Sequence, residues 1–289
     1  MEPGTGLAIL GSALGGAKLL EKMLGPTAEY VGGGLKNWTE RRVNNVANIF
    51  SKAKDKLGSR IEEPGSIPPR VLKEILDEGS FCDDPLTAEY FGGVLASSRS
   101  GVTRDDRGAS WSSLVGRLSV YQVRSHFLVY RAVYERFAGQ DFKFNMDDRS
   151  KLSVLLPISS FFQSMEFNAE EMKQVTALLN HSFFGLSTEG LVEAFVYGNR
   201  EGLKKHQDSD FNPPEEGGIW VTPSALGVEL FLWAHGQGNM PPSALLRLDL
   251  PVPEGATPCV GVQSGDDLRT KKSEPVDSVN PSASPLEVR

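Results

Sequence analysis

The spacing most suggestive of catalysis lies at Arg200-Glu-Gly-Leu-Lys-Lys-His206. An arginine and a histidine separated by four to six residues serve some helical ribonucleases. Here the pair falls in a long polar loop, where nothing in the sequence fixes the geometry between the two side chains. Asp83-Asp84 has the composition of a metal pair, but Pro85 follows it, and Asp84 is better explained as a helix N-cap. Cys82 and Cys259 stand apart, one among apolar helix positions and one in a Pro/Gly-rich stretch. With no CxxC spacing and no Cys/His cluster, a zinc site is not expected, and two free thiols in a reducing compartment is the plain reading. The chain has no P-loop, GxGxxG, GxSxG or HExxH. No cofactor or metal is expected, and an enzyme is the less favoured reading.

A different chemistry is suggested by charge. Lys36, Arg41, Arg42, Lys52, Lys54, Lys56 and Arg60 face only Glu40 and Asp55 within their stretch, in a chain whose net charge is −7. Two readings are open. Cations near a helix C-terminus are favoured by the helix dipole and can form a solvated face. The same face could meet phosphate, and Lys36, Arg41, Arg42, Lys52, Lys54 and Lys56 are then the contact residues for anionic lipid or nucleic acid.

These residues need elements to hold them. Pro26 suits the first turn of a helix. Beyond Gly32-Gly33-Gly34, apolar and long side chains from Leu35 to Leu57 step by three or four, which predicts one helix ending near Gly58. Glu62–Ser66 is a turn. A helical hairpin follows over Ile67–Ala96, its halves opened by Pro69 and by Asp84-Pro85 and separated near Gly79. Gly92-Gly93 inside the second half costs about 2 kcal/mol in propensity, which close helix contact can offset. Ser119-Val-Tyr-Gln122 and Asn168-Ala-Glu-Glu171 fit capping boxes, each opening a further helix. His126 falls in the first of these, where a lone histidine reads as a packed or surface residue. Val154–Pro157 reads as a short extended run.

From Asn168 the order becomes helix, helix, strand from Gly190, a long polar loop over Gly198–Gly218, a strand at Ile219–Val221, and a closing helix. Thr222 is expected as its N-cap and Pro223 at its first position. That is the order of a winged-helix wing. Four basic residues stand against ten acidic ones between Asn168 and Gly236, a poor charge for phosphate, so a packing or protein-interaction role is expected there. The predicted organisation is a small-residue segment over 1–23, a helical domain over 24–150, a winged-helix-like α+β module over 151–236 and a largely disordered tail over 237–289. The fold class is mainly α. The first segment carries Gly11 and Gly15 in a GxxxG, but its uncharged run from Thr5 to Ala17 is too short to span a bilayer. It reads either as a closely packing helix or as a segment that inserts into or lies on membrane. Hydrophobic content of 39% and a pI near 5.3 fit a partly unpacked chain without a general nucleic-acid role.

Three phrases share a pattern with one known family: Leu24-Gly-Pro-Thr-Ala-Glu-Tyr-Val-Gly32 with Trp38 and Asn44–Ala53; Ile67-Pro-Pro-Arg-Val-Leu72; and Asp83-Asp-Pro-Leu86 with Phe91 and Leu95-Ala96. Leu118-Ser119, Gly190-Leu-Val192 and Val221-Thr-Pro223 with Gly227 extend it. Over roughly Leu20 to His235 the chain resembles the abortive-infection alpha (Abi-alpha) family of bacteria, departing in its long wing loop and its tail. The resemblance implies a role in bacterial defence against phage, and it supplies no catalytic residues. The expected location is the cytoplasm, with the periphery of the inner membrane as the alternative. A phage or host protein is the expected partner, with self-association into a homo-oligomer as a further option. The alternatives are a membrane-perturbing effector built on the Gly-rich N-terminus and basic helix face, and a ribonuclease using Arg200 and His206.

Overall fold

Glu40–Leu57 forms α1, and Val43, Val46, Ala47, Ile49, Phe50, Ala53 and Leu57 make its buried stripe. The computed structural model describes residues 22–23, 40–102, 104–142, 144, 146–205 and 210–269. The expectations for the small-residue segment up to residue 21, for Lys36, for His206 and for residues 270–289 therefore lie outside the described residues. After a 3-10 turn at Gly58–Glu62, Pro69 sits in the first turn of α2 (Pro69–Gly79). Asp84 caps α3 (Pro85–Ser98) by accepting the Thr87 N–H at 2.7 Å.

Helix α3 is the centre of the helical part, and every residue from Leu86 to Ser98 is buried. Its two glycines explain how. A Cβ on Gly92 would lie 2.8 Å from the Lys52 Cβ of α1, and one on Gly93 would overlap the backbone carbonyl of Ala234. Two neighbouring helices thus approach α3 at backbone distance, which accounts for a diglycine in a helix interior.

Helices α4 (Arg107–Arg117) and α5 (Val120–Phe137) follow, α5 opened by the Ser119/Gln122 capping box. A short α6 (Met146–Arg149) leads into β1 (Val154–Pro157), α7 (Ile158–Met165), α8 (Ala169–Met172) and α9 (Val175–Thr188). Asn168 and Glu171 form the expected second capping box. Then come β2 (Val192–Gly198), α10 (Arg200–Lys204), β3 (Gly218–Pro223) and α11 (Ala225–Ala234). The sheet is antiparallel in the order β2-β3-β1-β4, where β4 is the two-residue Gln263–Ser264. The chain is mainly helical with this small sheet. Among the described residues no helix is long and apolar enough to cross a membrane.

The expected cap of the last long helix is displaced by two residues. Strand β3 continues through Pro223, which pairs with Val192. Ser224 is the N-cap, its hydroxyl accepting the Gly227 N–H at 2.9 Å and donating to the Gly190 carbonyl at 2.7 Å.

The disordered tail is also corrected over residues 237–269. A 3-10 turn at Pro242–Arg247 buries Leu245 and Leu246. Leu250 and Cys259 join the main core, β4 pairs with β1, and a final short helix α12 (Gly265–Leu268) buries Leu268. One apolar cluster runs from α1 through α5, the sheet and α11 to Cys259. A smaller one, around Leu155, Leu203, Phe211, Trp220 and Leu268, lies beside it.

Candidate functional site

The basic helix does not present a free cationic face. Lys52 and Lys56 are one turn apart on α1 and both turn inward onto Glu89 of α3. The Lys52 ammonium donates to Glu89 Oε1 at 2.6 Å, and Lys56 donates to Oε2. The three side chains are 11%, 15% and 9% exposed. Burial pushes the Glu89 carboxyl up, but Lys56 and Lys52 together outweigh it and hold it below the ordinary value. Two of the six residues expected to touch phosphate are thus spent on a half-buried triad. A charge count along one helix cannot see a carboxylate on its neighbour.

The other cations of this stretch are placed as follows. Arg41 pairs with Asp83 at the surface. Arg42 donates to Ser80 Oγ at 2.8 Å and lies 4.3 Å from the centroid of the Phe81 ring. Arg60 donates to the Gly236 carbonyl at 3.0 Å. Lys54 is half-exposed and has no ion pair among the described residues. Lys36 lies outside them. Among the described residues the structure does not bring the expected contact cations together into one patch.

The Lys–Glu–Lys triad instead floors a cleft of about 340 Å³. His235, the C-cap of α11, lines the same cleft. Its Nδ1 meets the Phe231 carbonyl at 2.8 Å. A carbonyl only accepts, so Nδ1 carries the proton and Nε2 keeps a lone pair. That Nε2 is buried without a hydrogen-bond partner. Burial lowers the imidazole pKa to about 4, with Lys56 and Arg131 adding to the effect, so the ring is neutral near pH 7. Gln237 and the segment Asp249–Glu254 complete the wall. The sequence held no signal for this site: Lys56 and His235 are far apart in the chain, and the second wall falls in the stretch expected to be disordered.

The remaining chemistry-bearing residues have structural partners. Arg200 donates to Glu215 at 2.6 Å and to Asn212, which ties down the start of α10. Its proposed partner His206 lies outside the described residues. Asp83 accepts from Arg41 and Asn45, and Asp84 is a cap. No group of three His, Cys, Asp or Glu able to hold a metal occurs among the described residues. Burial pushes the Cys82 thiol to about 12 and Cys259 to about 11, so neither is a ready nucleophile. His126 is fully buried and bonded at both ring nitrogens, to the Tyr90 hydroxyl at 2.6 Å and the Gly227 carbonyl at 3.0 Å.

Two surface features were not legible beforehand. Trp111 and Trp233 stand 6.0 Å apart in a cleft of about 500 Å³, with the Arg107 guanidinium 5.6 Å from the Trp233 ring. Elsewhere, Phe184 of α9 is 60% exposed and meets Phe195 of β2 edge-on at 5.1 Å, and Phe195 stacks on Tyr197. These rings line a groove of about 410 Å³ beside the outermost strand of the sheet. Comparison with family models, with characterised proteins and with solved structures returns no match.

Proposed function

We propose that the protein acts in bacterial defence against phage, in the cytoplasm, by binding a phage or host protein rather than by catalysis. The phrases shared with the abortive-infection alpha family support the setting. The element order supports reading the second half as a winged-helix-like module: α5, β1, α7, α9, β2, α10 and β3 follow in that sequence, with β3 between β1 and β2. A DNA-reading winged helix would use α9, but Val175–Thr188 contains no Lys or Arg. Phosphate contacts dominate nucleic-acid affinity, so this face suits another partner.

The observation that carries the reading is the exposed aromatic groove of Phe184, Phe195 and Tyr197 beside the edge of β2 that pairs with no other strand among the described residues. A large exposed ring beside a free strand edge fits an apolar, extended protein segment, which gains main-chain hydrogen bonds and ring contacts together. The test is phage challenge of cells carrying the natural chain or Phe184→Asp, scored for survival at high and low phage dose. Phe184 is exposed, so the variant folds; protection is expected to be lost. Full protection by a folded Phe184→Asp chain refutes the reading.

A further inference from the structure

We infer that the cleft between α4 and α11 binds an alkylammonium group, with the charge against Glu229 and the carbon chain on Trp111. Three observations lead there. First, two helix faces meet at one opening. Arg107, Ser110 and Trp111 stand at i, i+3 and i+4 on α4, and Glu229 and Trp233 at i and i+4 on α11. Residues at those spacings share a helix face. All five line the cleft of about 500 Å³, whose far wall is the segment from Gly238 to Pro242. That volume lies within the range of small-molecule sites.

Second, the cleft carries one uncompensated negative charge. The Arg107 guanidinium is held by Asp105 through two bonds of 2.7 Å, and it donates to Asn239 Oδ1 at 3.2 Å. Arg107 and Asp105 are therefore neutral as a unit. Glu229 is the one charged residue of α11 and is only partly buried. Among the described residues it has no hydrogen bond and no ion pair, and its charge reaches Arg107 only from beyond bonding distance. A carboxylate set against aromatic and apolar surface is best met by a charged donor. An anion would first have to displace Asp105 from Arg107.

Third, the walls suit a carbon chain. Trp111 is partly exposed, with its ring centroid 6.0 Å from that of the buried Trp233. Met240, 41% exposed, continues the apolar surface with Pro241 and Pro242. The face of an indole attracts a cation, and Arg107 already stands 5.6 Å from the Trp233 ring. An alkylammonium meets the ring and the carboxylate together, whereas an alcohol meets only the walls. This cleft shares no residue with the aromatic groove on α9 and β2, so loss of binding here leaves that groove untouched.

The ammonium comes either from a free amine or from a lysine side chain of a partner protein, and titration separates the two. The full chain is titrated in a calorimeter at neutral pH with n-butylamine and with Nα-acetyl-lysine amide. n-Butanol and butyrate are the uncharged and anionic controls. At least one of the amines is expected to bind with a Kd of about 1 mM or tighter and to change tryptophan emission, while the controls do neither. Binding by both supports a free amine as ligand, and binding by the lysine derivative alone supports a partner's side chain. Glu229→Gln keeps the shape and removes the charge, and is expected to weaken binding at least about tenfold. Arg107→Gln removes a like charge at an exposed position and is expected to tighten binding about threefold. A purely structural role for these residues does not produce that opposite pair. Should Glu229→Gln fail to fold, Arg107→Gln decides. The inference is overturned if neither amine binds, if butanol or butyrate binds as tightly, if a folded Glu229→Gln chain keeps its affinity, or if Arg107→Gln fails to tighten binding.

Discussion

Replacing Glu89 by Gln removes the one negative charge that two half-buried lysines share. The two ammonium groups are held on opposite oxygens of one carboxylate, and two unit charges at roughly 5 Å repel by about 3 kcal/mol at an effective dielectric of about 20. In the natural chain two closer attractions to Glu89 exceed that repulsion. With the charge gone, only Glu254 is near, 3.9 Å from Lys52 and itself 91% exposed. The repulsion is then uncompensated, in keeping with the ~3–5 kcal/mol typical of breaking a buried ion pair from one side. For a chain of this size that corresponds to a fall of about 10 °C in the melting temperature. Thermal and urea melts followed by circular dichroism measure it. The triple change Lys52→Met, Glu89→Leu, Lys56→Met removes all three charges and is expected to recover most of the loss, since apolar groups can replace a buried triad at little cost. A Glu89→Gln chain melting within about 2 °C of the natural one, or a triple variant as unstable as the single, would refute the reasoning.

Acid should destabilise the fold well above the carboxylate range. His126 and His235 have folded pKa values of about 3 and about 4, against about 6.5 unfolded. Below pH 6.5 the unfolded chain binds protons that the folded chain refuses, so stability falls through the window from 6.5 toward 4. The loss is roughly 4 kcal/mol between pH 7 and 5 for the two residues. Urea midpoints at pH 7, 6 and 5 measure this, and a flat series contradicts it. Tyr130→Phe removes a hydroxyl that donates to the Leu191 carbonyl at 2.6 Å and accepts the Ser224 N–H at 3.0 Å. The cost should be about 2 kcal/mol in urea melts, and under 0.5 kcal/mol would mean the backbone repairs itself. Gly93→Ala drives a methyl into the Ala234 carbonyl and should cost about 3 kcal/mol or abolish folding, read from expression and melting temperature. Arg200→Ala removes only a loop contact to Glu215 and Asn212. Plaque counts should not change, whereas a nuclease using Arg200 would lose protection.

Local signals in the sequence carried the helix starts, because a cap is a matter of a few consecutive residues. Asp84, Ser119 and Asn168 each accept the N–H their spacing predicts. Gly92-Gly93 likewise announced close helix contact, although the partners could not be named. The cap at the last long helix slipped because Thr222 and Ser224 are both good candidates. The choice between them depends on strand pairing with Val192, a long-range fact. The segment over 237–269 misled for a related reason. Its Pro/Gly-rich composition hides scattered anchors, Leu245, Leu246, Leu250, Cys259 and Leu268, which are buried but follow no period. The cleft was invisible because its parts come from α1, α3, the end of α11 and that same segment.

The two buried histidines differ in how their ring nitrogens are met. Each touches α11, and each is kept neutral by burial. At His126 the Gly227 carbonyl requires the proton on Nε2, and Nδ1 then accepts from the Tyr90 hydroxyl. Both nitrogens are met, so nothing is left for a ligand to supply. At His235 the tautomer is reversed, because the carbonyl of Phe231 requires the proton on Nδ1. The complementary acceptor is left unmet, at an atom buried from solvent. A packed core selects for satisfied polar groups, because an unsatisfied one costs a sizeable share of a marginal folding free energy. An apolar ring at His235 would remove that cost but would also leave the Phe231 carbonyl without the Nδ1 proton it accepts at the end of α11. The imidazole is thus retained for the bond at Nδ1, which satisfies one of the last carbonyls of the helix, and the unmet Nε2 is the cost of that cap.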